Sequence, residues 1–74
     1  MIKEGNTPRT EYVKNYAGLI LAIYEFADNG DITVRDFSSR MILGYYRKSR
    51  DVTTDFAGRV LYRGNMVRML VKAK

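Results

Sequence analysis

Val13-Lys-Asn-Tyr-Ala-Gly-Leu-Ile-Leu-Ala-Ile-Tyr-Glu-Phe-Ala27 is the longest apolar stretch of the chain, and its period decides how the remainder is arranged. Val13, Tyr16, Ala17, Ile20, Leu21, Tyr24 and Ala27 recur at spacings of three, four and seven, the mark of one buried helical stripe. Upstream, Thr7-Pro8 offers a hydroxyl to cap free N–H groups and a proline suited to the first helical position. Downstream, Asp28-Asn29-Gly30 offers a stop. The spacing predicts a long first helix ending at Ala27.

Tyr12, Leu19, Ile23 and Phe26 form a second stripe beside the first. The polar remainder is narrow: Glu11, Lys14, Asn15, Gly18 and Glu25. A helix apolar over more than half its circumference must bury more than one face. Two arrangements do so: a homodimer built on Tyr12, Leu19, Ile23 and Phe26, or a central helix wrapped by the other elements.

Outward from that stretch, Thr33-Val-Arg-Asp36 reads as a capping box opening a second helix that ends at Gly44. A basic, aromatic connector, Tyr45-Tyr-Arg-Lys-Ser-Arg50, leads to a third helix capped by Ser49 or Thr53 and ending at Gly64-Asn65. Phe56, Ala57, Val60 and Leu61 make its inner face. Asp31-Ile32-Thr33 and Met66-Val-Arg-Met-Leu-Val71 are β-compatible. Residues 1–7 read as a loose lead-in and residues 8–74 as a single domain, with no internal repeat evident. The fold class expected is mostly α with a minimal β element.

Composition narrows the chemistry. Seventy-four residues hold one small core, and 46% hydrophobic content argues against disorder. With neither cysteine nor histidine, zinc fingers, haem attachment, Cys/His nucleophiles and histidine bases are excluded. The lack of cysteine suggests an intracellular, cytoplasmic setting, and no transmembrane segment or signal peptide is apparent. The aspartates fit capping and turn roles, and no phosphate-cradling glycine loop is present. No enzyme, cofactor, metal site or small-molecule ligand is expected.

Charge is divided unequally. Residues 1–34 carry three Lys/Arg and five Asp/Glu, a net of −2, whereas residues 35–74 carry ten against three, a net of +7. A concentration of cations is what a polyanion-binding face looks like in sequence, because each cation near a phosphate releases condensed counterions. The same charges can also serve solubility alone.

The layout resembles the winged helix-turn-helix family of DNA-binding domains over roughly residues 8–71. Asp31-Ile-Thr-Val-Arg-Asp-Phe37, Gly44, Phe56-Ala-Gly-Arg-Val-Leu-Tyr-Arg-Gly64 and Met66-Val67 carry the resemblance. The chain departs from the family in a long connector before the third helix and in a truncated wing. The resemblance implies a third helix lying in the major groove. On that helix Thr54, Asp55, Arg59 and Tyr62 face outward as base-contacting candidates, with Arg59 suited to a guanine edge. Arg47, Lys48, Arg50 and Arg63 flank it as phosphate-contacting candidates. The function expected is a small double-stranded DNA-binding protein, a dimeric transcriptional regulator. An RNA- or ribosome-associated basic domain, or a protein-interaction module acting through the apolar first helix, are the alternatives. Stacking on unpaired bases would need exposed aromatics on a sheet or in a groove, which this helical reading does not supply.

Overall fold

The computed structural model describes residues 9–71, and its regular elements are six strands and one short 3-10 helix. The strands are β1 (Arg9–Lys14), β2 (Ile20–Phe26), β3 (Ile32–Asp36), β4 (Ile42–Arg47), β5 (Val52–Asp55) and β6 (Val60–Arg63). The 3-10 helix spans Val67–Leu70. Each strand pairs antiparallel with its neighbour in sequence, so the sheet is a simple meander of order β1-β2-β3-β4-β5-β6. The expected lead-in at residues 1–7, the Thr7-Pro8 helix start and the basic tail Lys72-Ala-Lys74 lie outside the described residues.

The three-helix architecture is therefore overturned, and with it the winged helix-turn-helix resemblance. The first predicted helix is a hairpin of β1 and β2, the second is β3 turning into β4, and the third is β5 turning into β6. Among the described residues the helical element falls where a strand was expected, at Val67–Leu70.

The reason lies in the turns. In the first, the Asn15 N–H donates to the Leu19 carbonyl and the Gly18 N–H to the Asn15 carbonyl, closing a three-residue loop. Gly18 ends that loop at φ +86°, a left-handed conformation that glycine adopts without steric cost. The same pair of bonds closes Asp55 to Arg59, with Gly58 at φ +94°. Gly18 falls inside the first predicted helix and Gly58 inside the third, yet each is the residue that reverses the chain. The spacings of three and four in residues 13–27 then arise from two strands on either side of a turn, not from one stripe.

Cross-strand partners point to the same face of a sheet, so the register sorts the side chains. One face carries the row Glu11, Tyr24, Val34, Gly44 and Asp55, and beside it Arg9, Phe26, Ile32, Tyr46, Thr53 and Tyr62. After β6 the chain folds back over this face. Thr53, wholly buried, anchors the return: its hydroxyl donates to the Gly64 carbonyl at 2.7 Å and accepts from the Met66 N–H at 2.9 Å. Val67 and Leu70 are thereby set onto Ala22, Ile32 and Val34 to make the core. Phe56, Val60 and Leu61, expected in that core, are exposed, because the turn at 55–59 carries Phe56 off the sheet end.

Gly44 is the contact on which this closure depends. A Cβ there would overlap the Thr54 carbonyl and come within 2.8 Å of Leu70 Cδ1. Gly44→Ala should therefore cost about 3 kcal/mol, read as a lowered urea midpoint. An unchanged midpoint would show that Leu70 does not seat there. Tyr24 gives a second test. Its hydroxyl is buried without a hydrogen-bond partner among the described residues, and burial chiefly raises its pKa above 10.0, opposed by Arg68 and assisted by Glu11. A raised pKa favours the neutral phenol in the fold, so its contribution is present below pH 10 and lost as pH rises through the folded value. Tyr24→Phe should stabilise the protein by about 1 kcal/mol and lessen its decline in alkaline melts.

Candidate nucleic-acid interface

The other face of the sheet carries three cross-strand rows. The first is Tyr12, Ile23, Arg35 and Ile42; the second is Thr10, Glu25, Thr33, Tyr45, Thr54 and Val60; the third is Arg47, Val52 and Arg63. The 3-10 helix packs on the opposite side, against Gly44 and Val34, so among the described residues no further element lies over this face, although Ile23 and Thr54 on it are buried. Its cations are held in place by local partners. Arg35 donates through Nε to the Glu25 carboxylate at 3.1 Å and through Nη1 to the Arg40 carbonyl at 3.2 Å. Arg47 donates to Asp31 at 3.3 Å while its guanidinium lies 4.5 Å from the Tyr45 ring centroid.

Arginine and aromatic rings are interleaved at the end of the face nearest the β3–β4 turn. The Arg40 guanidinium sits 4.7 Å above Phe37, and Tyr12 meets the same ring edge-on at 6.3 Å. Arg35, Arg40, Met41, Ile42, Tyr45 and Phe56 line a hollow of about 340 Å³. Phe56 is 70% exposed at its border. The hollow is mainly apolar, with Arg35, which is paired with Glu25, and Arg40 among its lining residues. It suits a planar ring.

The residues singled out from sequence divide among different places. Arg47 and Arg63 come together on the open face, whereas Lys48 and Arg50 lie in the β4–β5 turn at its far end. The Lys48 N–H donates to Asp31 at 2.8 Å. The base-contacting set does not form a surface. Thr54 is buried and its hydroxyl donates to the Asp55 carbonyl; Tyr62 faces the opposite side, paired with Thr53. Asp55 does not pair with the Arg59 side chain as a helix would have it. Its carboxylate accepts the backbone N–H groups of Ala57 and Arg59, both at 2.9 Å, and Arg59 stands at the turn.

The dimer stripe likewise dissolves. Tyr12 and Ile23 are partners on the open face, Ile23 being buried; Leu19 is in a turn; Phe26 lies on the covered face beneath Arg9, at 4.6 Å. Sequence reasoning missed Arg35, Arg40, Tyr45 and Phe56 as a group, since only the β register brings them together. The available signal was the recurrence of an Asx-aromatic pair before a turn, in Asn15-Tyr16, Asp36-Phe37 and Asp55-Phe56. The three pairs stand 21 and 19 residues apart.

Tyr46 is placed at the sheet's far end, where its hydroxyl donates to the Asp51 carboxylate at 2.6 Å. That bond chiefly raises the tyrosine pKa above 10.0. Among the described residues no cluster of three or more acidic, histidine or cysteine side chains could hold a metal ion. No described helix is long and apolar enough to cross a membrane. Compared with known proteins, the chain matches no family model, no curated sequence and no solved structure.

The two readings of Asp55 separate in one substitution. As a turn cap it holds two amides, so Asp55→Ala should destabilise the fold by about 1–2 kcal/mol. Asp55→Asn should keep most of the stability, because Asn15 caps the first turn in the same way through Ala17 and Leu19. Equal melting of Asp55→Ala and the parent chain would remove the capping role.

Proposed function

We propose that the open sheet face binds single-stranded nucleic acid, RNA foremost. The observation that carries this reading is the interleaving of arginine with half-buried aromatic rings on one face, Arg47 stacked on Tyr45 and Arg40 on Phe37, around a hollow bordered by the exposed Phe56. Base faces stack on such rings whatever their sequence, while guanidinium groups take phosphates. A twisted sheet offers no element of a shape to enter a major groove, so the duplex-reading helix is not part of this proposal. The chain acts in it as a binding module, not an enzyme, in an intracellular setting.

Tyr45 and Phe56 provide stacking surfaces. Arg40 and Arg63 provide positive charge beside them, and Arg35 is paired with Glu25 at 3.1 Å. Arg47 is partly neutralised by Asp31 in the free protein, which makes Asp31 a brake on binding.

Fluorescence anisotropy with a labelled single-stranded RNA and the matching duplex, at two salt concentrations, tests the proposal. The single strand should bind more tightly, with a salt slope near −0.7 per phosphate neutralised. Tyr45→Ala should lower affinity by roughly 1–3 kcal/mol, the usual value of one stacked base. Asp31→Asn should raise it modestly by freeing Arg47. Indifference of RNA affinity to Tyr45→Ala and Arg47→Ala in a folded protein would contradict the proposal.

A further inference from the structure

The guanidinium of Arg35 is hydrogen-bonded to two different residues. Its Nε donates to the Glu25 carboxylate at 3.1 Å, and its Nη1 donates to the Arg40 carbonyl at 3.2 Å. These bonds use two of the five N–H groups that a guanidinium carries. The second Nη1 hydrogen and both on Nη2 have no hydrogen-bond partner among the described residues. What remains is a planar fork of donors, its plane fixed, on a side chain that lines the hollow.

The charges bordering the hollow balance. Arg35, Arg40 and Arg59 stand against Glu25, Asp36 and Asp55. The amides and hydroxyls that the two aspartates accept are neutral and do not cancel their charge. This end of the face therefore has little pull on phosphate, whereas Arg47 and Arg63 share a row toward the other end. Met41 and Phe56, both exposed, and the half-buried Ile42 give the hollow apolar surface. At about 340 Å³ it lies near the lower limit of ligand clefts, roughly 300–1,000 Å³, which suits one base and not a longer segment. An apolar hollow with fixed donors and no net charge is built to read a base edge.

We propose that the hollow selects guanine, read by the Nη1/Nη2 fork of Arg35, an inference that rests on the single-stranded RNA reading of the open face. Guanine carries O6 and N7 side by side as acceptors on a two-ring system, the pattern that an arginine fork matches bidentately. Adenine sets its N6 amino group where O6 would be, so donor meets donor. Uracil has a single acceptor, O4, on the corresponding edge. Cytosine offers O2 and N3 on one ring only, which covers less of Phe56 and Met41. Glu25 is a positioning residue: it holds the fork and removes the net charge that would draw a phosphate to it.

Fluorescence anisotropy of the full chain with four short single-stranded RNAs tests the proposal. All are uridine except for G, A, C or U at one central position. The guanine strand should bind about tenfold more tightly than the adenine strand, as one bidentate base contact implies. Arg35→Lys keeps the charge and the partner but has no planar fork. It should bring the guanine strand to the level of the all-uridine one, whose own affinity stays within about twofold of the parent because the cation is retained. Glu25→Gln should tighten all four strands by releasing the Arg35 charge, while narrowing the guanine preference. Circular dichroism checks the fold of each variant, and if Arg35→Lys does not fold, the strand ratios of Glu25→Gln carry the test. A pair that is merely structural would weaken all four strands alike with their ratios unchanged, and that result overturns the proposal. Four equal affinities, a cytosine preference, or a guanine preference that survives Arg35→Lys would overturn the guanine assignment and leave the open-face reading in place. Failure of every strand to bind at low salt removes both.

Discussion

Every other feature of this molecule depends on chain reversal through a left-handed residue. Each of the five hairpins ends in one: Gly18, Gly30, Arg40, Asp51 and Gly58, with φ between +54° and +97°. Three are glycine, for which this conformation carries no Cβ penalty. The turns fix register, since a slip of one residue would exchange the two faces of every strand. With register fixed, Val34 and Ile32 point toward Leu70, and Arg35 and Tyr45 point away from it. The sorting of the core face from the open face is thus a consequence of turn geometry.

A sheet of this size must still bury one face. The chain does so with few residues, laying Val67 and Leu70 across β3 and β4 through the bare backbone of Gly44 and the two-way hydroxyl of Thr53. Only one face is covered in this way. On the opposite face the guanidinium groups of Arg40 and Arg47 lie against the rings of Phe37 and Tyr45. These side chains are those that a polyanion with planar bases would meet.

How much of this was legible in the sequence follows from particular residues. The concentration of cations after residue 34 was visible at once, and so was the break at Asp28-Asn29-Gly30, which is a turn although it ends a strand rather than a helix. Of the four phosphate-contact candidates, Arg47 and Arg63 share one row of the sheet on either side of Val52, while Lys48 and Arg50 lie in the β4–β5 turn. What misled was the spacing of apolar residues from Val13 to Ala27, because two strands joined by a three-residue loop reproduce helical spacings over a short window. Gly18 and Gly58 were the contrary signals, each preceded by an Asx-aromatic pair. The remaining pair, Asp36-Phe37, opens a loop one residue longer, closed by bonds from Asp36 to Met41 and from Arg40 to Asp36. Arg35, Arg40, Tyr45 and Phe56 are distant in sequence, and no periodicity could join them before the strand register was known.

Nitrogen–proton correlation spectra, recorded while a short single-stranded RNA is added, test the central claim most directly. They report each backbone amide separately, and so distinguish the two faces of one thin sheet. The account predicts shifts concentrated at Arg35, Arg40, Tyr45, Arg47 and Arg63, with Val67–Leu70 and its partners Ile32 and Val34 nearly still. Shifts centred on Val67–Leu70, or none at low salt, would contradict it.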